Sequence, residues 1–161
     1  MLRYDFKKIV GEGSFGKALL CSRKSDKKLC IVKQISLQKM SREEAKRTEQ
    51  ESTLLARLNH PNIVFFMESF TSQGSLYIVM EYADGGDLDS FLKSRRGNLI
   101  KEEKVLNLFV QISLAIKHIH DRKILHRDLK AQNIFLTAGQ MVKLGDFGWL
   151  ILFQRFILDE E

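Results

Sequence analysis

Apolar and polar positions in the first third of the chain fall into short runs at residues 6–10, 17–22 and 29–35, separated by a glycine-rich stretch and by polar residues 23–28. Runs of this length bounded by turn residues predict strands, so the chain starts as an antiparallel meander. The pattern then changes. From about Ser41 the charged residues Glu43, Glu44, Lys46, Arg47, Glu49 and Glu51 lead into Leu54, Leu55 and Leu58 before Asn59-His60-Pro61, which predicts a polar helix with a largely solvated face. Two further strands, 63–66 and 76–81, are predicted on either side of a turn at Ser72-Gln73-Gly74, and Asp84-Gly85-Gly86 breaks the pattern.

Beyond that break, residues 99–120 carry Val105, Leu108, Phe109, Ile112, Ile116 and Ile119 at helical spacing. One face is apolar for roughly four turns and needs a partner. A loop at 121–133 then leads to a hairpin of 134–136 with 141–144, followed by Asp146-Phe147-Gly148. A five-stranded antiparallel sheet plus one helix, succeeded by a mainly helical segment, predicts an α+β chain of two lobes joined near residues 82–86. The expected division is 1–82, 83–148 and an apolar tail at 149–161.

Composition narrows the class without naming a chemistry. Hydrophobic residues at 44% and charged residues at 29% are ordinary for a globular domain and exclude bulk disorder. The net charge of +6 comes from 26 basic and 20 acidic residues scattered along the chain, which argues against nucleic-acid recognition. Cys21 and Cys30 lack metal-ligand spacing and flank a polar turn, so they are expected to face each other across a hairpin as reduced core thiols. The N-terminus has no apolar leader, and no run of about 18 apolar residues is present. The expectation is a cytosolic or nuclear protein, with no membrane partner.

The chemistry lies in spaced motifs. Gly11-Glu12-Gly13-Ser14-Phe15-Gly16 is weak alone, since the spacing also opens dinucleotide-binding folds or an ordinary glycine-rich hairpin. In dinucleotide folds a helix follows the third glycine, whereas here a strand follows. Glycines between two strands let backbone amides approach phosphates with no Cβ in the way. Lys33, on an apolar strand, needs an anion, and Glu51 on the following helix is the expected partner. An ammonium held by a carboxylate can present itself to the phosphates of ATP.

His126-Arg127-Asp128-Leu129-Lys130-Ala131-Gln132-Asn133 matches the protein-kinase catalytic loop at every defining position. Asp128 suits acceptance of a proton from an attacking hydroxyl, Lys130 suits steadying of the γ-phosphate, and Asn133 suits binding of Mg2+. Asp146, in Asp146-Phe147-Gly148, is the second expected metal ligand. Phe147 is expected to pack near Leu55. His126 is expected to serve packing, and His60, His118 and His120 show no ligand spacing.

Together with His60-Pro61-Asn62-Ile63-Val64, Leu76-Tyr77-Ile78-Val79-Met80-Glu81-Tyr82, Gly85-Gly86-Asp87-Leu88 and Lys143-Leu144-Gly145, these motifs make residues 1 to about 148 resemble the NIMA-related serine/threonine protein kinases. The resemblance implies a kinase fold that uses ATP and Mg2+ on a protein substrate. It implies that Met80 borders the adenine pocket, that the hinge from Glu81 to Ala83 bonds adenine, and that Asp87 reaches the ribose. Val10, Ala18 and Ile31 would sandwich the base. It also implies roles around microtubules, centrosomes, cilia or the cell cycle, and leaves oligomeric state open.

The resemblance is read as ending after Gly148. Residues 149–161 hold eight large apolar residues and no Ser, Thr or Tyr. Left in water they would be unfavourable by about 15 kcal/mol at roughly 2 kcal/mol each. The tail is therefore expected to fold back on the bare face of the helix within 99–120. With no activation segment recognisable, impaired peptide phosphorylation is expected, and a non-catalytic nucleotide-binding or interaction module is the alternative.

Overall fold

The computed structural model describes residues 3–13, 16–38 and 40–145, except for the side chain of Glu51. Among the described residues, seven strands, β1 (Tyr4–Gly13), β2 (Gly16–Arg23), β3 (Leu29–Ser36), β4 (Phe66–Ser72), β5 (Ser75–Glu81), β6 (Ile134–Leu136) and β7 (Val142–Leu144), accompany three α-helices, α1 (Arg42–Leu55), α2 (Leu88–Ser94) and α3 (Glu102–His120), and one 3-10 turn at Ala131–Asn133. The expected α+β class and five-stranded antiparallel sheet are present. The chain divides into two compact units, within Met1–Arg57 plus Phe65–Tyr82 and within Leu58–Val64 plus Ala83–Glu161.

In the first unit the sheet order is β1-β2-β3-β5-β4. Its core follows from strand register. Leu19, Cys21, Cys30, Val32, Tyr77 and Val79 occupy alternate rows and so point to one face, where Tyr4, Met67 and Phe70 join them. Cys21 and Cys30 are directly opposed, buried and free, as the hairpin reading expects. Burial pushes both thiols up, Cys30 to about 11, so they stay protonated and inert. The two edges of the sheet curl together. Tyr4 on β1 donates its hydroxyl to Glu68 on β4, and Arg3 donates to the same carboxylate at 2.8 Å.

Ser41 caps α1. Its Oγ accepts from the Glu44 amide at 3.2 Å, and the Glu44 carboxylate accepts from the Ser41 amide at 2.7 Å, a reciprocal box that satisfies two otherwise orphan donors. The helix then meets β4 through polar groups. Buried Ser52 lies 3.3 Å from Ser69, and Thr71 donates to Glu49 at 2.8 Å.

In the second unit β6 and β7 form the expected hairpin, and Ile63 adds a parallel bridge to Leu144. The strand predicted at 63–66 is therefore not built as read. The Val64 amide donates to the Leu144 carbonyl and the Leu144 amide to the Asn62 carbonyl, both at 2.8 Å, while β4 starts at Phe66. Buried Asn62 explains the difference, because its amide donates to the Val142 carbonyl at 3.0 Å and to Gln111 on α3 at 2.8 Å. Gln111 Oε1 also accepts from the Val142 amide at 2.8 Å. One glutamine on an apolar helix thus joins three segments.

The long helix starts at Glu102 rather than at 99, and its apolar face is only partly covered. Leu108, Ala115 and Ile119 are buried, whereas Val105 and Phe109 are exposed. Among the described residues, no helix is long and apolar enough to cross a membrane.

Candidate functional site

The site residues of the first unit lie on adjacent strands in one register. Gly11 pairs with Ala18, Ala18 with Lys33, and Ile31 with Met80. These rows alternate with the core rows, so Ala18, Ile31, Lys33 and Met80 share the face opposite the core. All four are half-buried, in contrast to the fully buried core rows. Val10 sits where the β1 register shifts between Ile9 and Gly11, and about half of it is exposed.

Across the glycine-rich stretch β1 pairs with β2 as far as Gly13 opposite Gly16. Its glycines differ physically. A Cβ on Gly16 would lie 1.9 Å from the Gln34 carbonyl oxygen, so this residue is required by the close approach of β3. A Cβ on Gly13 would meet nothing within 4 Å. Open space above backbone amides is what an approaching phosphate needs. Ser14 lies outside the described residues, as does the Glu51 side chain on which the expected Lys33 ion pair falls.

Glu81 ends β5. Its amide donates to the Phe65 carbonyl at 2.9 Å, and its carboxylate accepts from the Phe65 amide at 2.7 Å. In the second unit Ala83 is buried, and the chain after it pairs with β6 through Gly85 and Gly86. Asp87 then caps α2, accepting from the Ser90 amide at 2.8 Å and the Ser90 hydroxyl at 2.7 Å. Burial acts to raise its pKa, yet the bonds from Ser90 hold the carboxyl below the usual range. Helix α2 was missed from sequence because the break at Asp84-Gly85-Gly86 drew the reading. Asp87 followed by Leu88, Phe91 and Leu92 at i, i+3 and i+4 carries the signal for it.

The loop after α3 brings three expected residues together. Asp128 accepts from Lys130 Nζ at 2.8 Å and from Asn133 Nδ2 at 2.9 Å, and the same amide donates to the Asp128 carbonyl at 2.8 Å. The bond from Lys130 chiefly, then that from Asn133, holds the Asp128 carboxyl below its ordinary range against the effect of burial. It is therefore ionised at neutral pH. Arg127 has φ 61°, and the Asp128 amide donates to the His126 carbonyl at 2.9 Å, a tight turn in the left-handed region immediately before the carboxylate. Strained backbone of this kind clusters where function fixes a side chain.

His126 is buried, and its Nε2 lies 2.8 Å from the Gly145 carbonyl oxygen. The Gly145 amide donates to the Asn133 carbonyl at 3.0 Å. Gly145 is thereby tied to both ends of the loop, and Asp146 follows it directly. Asp146 itself, Phe147 with its expected contact to Leu55, and the tail at 149–161 lie outside the described residues.

Among the described residues no group of three or more His, Cys, Asp or Glu could hold a metal, and Asn133 is the one expected ligand that is described. Asn133 spends its Nδ2 on Asp128, which orients its amide oxygen away from that carboxylate, and oxygen donors of this type fit Mg2+. The His60 and His118 rings instead meet at 4.9 Å, tilted by 47°, and burial chiefly lowers both pKa values, which fits packing rather than ligation.

A family model described as the protein kinase domain matches residues 4–155, reaching past Gly148, where the sequence reading ended the likeness. The chain is 55% identical to serine/threonine-protein kinase Nek5 of Homo sapiens over 92% of its length and 21% of the relative's. It is 52% identical to Nek1 of Mus musculus over 86% of the chain and 12% of that protein. Identity to Nek3 of Mus musculus is 48%, over 92% and 28%. The chain thus spans between about a tenth and a quarter of the length of these relatives.

Proposed function

The chain belongs to the protein kinase family, in its NIMA-related serine/threonine branch, and on that premise we propose that it binds Mg-ATP and directs the γ-phosphoryl group to a protein hydroxyl. The observation that carries the reading is the bonding of one ionised carboxylate, Asp128, by both Lys130 and Asn133 in a strained loop. Magnesium when bound would supply charge neutralisation at the phosphates, with Asn133 and Asp146 as its protein ligands.

The residues divide the work. Gly11, Gly13, Ser14 and Gly16 offer backbone to the phosphates, and Lys33, oriented by Glu51, offers an ammonium. Val10, Ala18, Ile31 and Met80 cover the base, Glu81 and Ala83 bond it through backbone, and Asp87 reaches the ribose. As the substrate oxygen bonds to phosphorus and the bond to the ADP oxygen breaks, the hydroxyl proton passes to Asp128. Lys130 offsets charge on the transferred group. A depressed carboxyl is a weak base, which suits a loose transition state in which the proton moves late.

We expect the 161-residue chain to bind nucleotide better than it transfers phosphate. Residues 149–161 contain no Ser, Thr or Tyr, so this stretch offers Arg127 no phosphate to hold. That feature favours a second reading, a nucleotide-binding interaction module. Two measurements separate them. Mg-ATP is expected to raise the melting temperature, and no shift would sink the nucleotide reading. Asp128→Ala is expected to lower peptide phosphorylation by about 10²- to 10⁴-fold. Equal rates in the two proteins would remove Asp128 from catalysis, and an undetectable rate in both with intact Mg-ATP binding would select the second reading.

A further inference from the structure

We propose that Ser25, in the turn between β2 and β3, is a phosphorylation site whose phosphate is received by Arg3, Arg23 and Lys24. The inference lies within the first unit and does not rest on the nucleotide reading. Ser25 is exposed, and among the described residues its hydroxyl has no hydrogen-bond partner. Ser22 in the same hairpin is the contrast, since it is buried and its hydroxyl donates to the Lys27 carbonyl at 3.2 Å. One serine is used by the fold, and the other is open to a modifying enzyme.

The surroundings suit a dianion. Ser25 lines a cavity of about 530 Å3 together with Arg3, Arg23 and Lys24, and among the described residues Glu68 is the one acid in its wall. Backbone brings these groups together. The Lys24 amide donates to the Arg3 carbonyl at 3.0 Å, so the start of β1 lies against the turn that carries Ser25. The cations are incompletely matched. Arg3 pairs with Glu68 at 2.8 Å and Arg23 with Asp26 at 2.5 Å, but Lys24 and Lys27 share Asp5 at 3.5 and 3.8 Å. With Lys28 also in the turn, Arg3, Arg23, Lys24 and Lys27 outnumber Asp5, Asp26 and Glu68, an excess close to the charge of about −1.5 to −2 on phosphoserine at neutral pH. Guanidinium groups hold phosphate through paired, charge-assisted hydrogen bonds. The modifying enzyme is a protein kinase that favours basic residues before its serine, because Arg23 and Lys24 directly precede Ser25. The Ser25 oxygen bonds to the γ-phosphorus of ATP, the bond to the ADP oxygen breaks, and the hydroxyl proton passes to that enzyme's base. Once made, the phosphate draws Arg3 from Glu68 and Arg23 from Asp26, and fastens the start of β1 to the β2–β3 turn.

Two measurements test the proposal, one for the modification and one for the receiving groups. The full 161-residue chain is treated with Mg-ATP and a protein kinase of that basic preference, and the product is mapped by mass spectrometry. Phosphate at Ser25, absent from Ser25→Ala, is expected, and phosphate confined to other residues, or none, overturns the proposal. The chain is then made with phosphoserine at position 25 by genetic incorporation and titrated by phosphorus NMR. The second pKa of the phosphate is expected to lie about half a unit or more below that of a peptide spanning 20–30, and Arg3→Gln should return it most of the way. The melting temperature should rise by a few degrees on phosphorylation, and the rise should shrink in about 0.5 M salt. A pKa equal to the peptide's, or an unchanged or lower melting temperature, overturns the proposal. Should Arg3→Gln fail to fold, Lys24→Gln is read in the same way, since its bridge to Asp5 is long. A phosphate pKa that neither substitution moves assigns the phosphate to other groups and overturns the proposal.

Discussion

The two units hold their candidate residues by different physics. In the first, Ala18, Ile31, Lys33 and Met80 are carried by neighbouring strands whose rows are locked by a core on the opposite face. Moving one of these side chains means slipping a strand, which would expose Val32 and Val79. In the second, Asp128, Lys130 and Asn133 stand on a loop held by discrete hydrogen bonds and a left-handed turn at Arg127. Groups that must persist on one face suit a sheet. Groups that must aim at a reacting atom suit a loop whose every bond can be set separately.

Substitutions can break that contrast. The largest effect is expected at Gly16→Val, where the added Cβ lies 1.9 Å from the Gln34 carbonyl and β2 must leave β3. We expect a loss of about 3 kcal/mol or more in urea unfolding, against a few tenths for Gly13→Ala, where space is open. Equal losses would mean that the glycine-rich stretch is not held by the sheet as described.

The second unit is tested next at Gln111→Leu. It strands the Asn62 amide and the Val142 N–H, so a loss of about 1–3 kcal/mol is expected. Amide exchange should quicken in β7 and leave β2 and β3 unchanged, and a uniform effect would show that the units do not behave separately.

A pH scan sharpens the first unit. Burial, then Glu68, pushes the Tyr4 hydroxyl up to about 12. Folding favours its neutral form, so this contribution is complete below the ordinary value near pH 10 and is lost as pH rises towards 12. Tyr4→Phe should be less stable at pH 7 and should show a shallower alkaline decline than the parent. Parallel declines would remove the Tyr4–Glu68 closure from the account. The smallest expected effect is at Ser41→Ala, about 1 kcal/mol from loss of the α1 cap, visible as faster exchange in the first turn of α1.

How much was legible in advance differs between the same two regions. Strands β1 to β3 and the Cys21–Cys30 pairing follow from local runs and a short turn, because period-two patterning and a hairpin need only neighbours in sequence. The segment at 63–66 misled, since Ile63 reads as a strand residue but pairs with Leu144, far along the chain. Helix α2 was hidden by the glycines before it. Asn62 entered only as part of a family motif and Gln111 not at all, because a buried polar junction is invisible until its partners are in place.

What the sequence by itself determined is the family and which strand residues share a face, and it supplied the residue types at 33, 128, 130 and 133 on which the proposed chemistry draws. Spacing and residue type are properties of the chain, and the family's motifs are written in them. What only the tertiary structure decided is the set of bonds that orients those groups. Asp87 caps α2, Gly145 is tied to both His126 and Asn133, and the turn at Arg127 directly precedes Asp128. It also decided which part of α3 is covered, since a helix's own periodicity says that a face is apolar but not which neighbour comes to meet it.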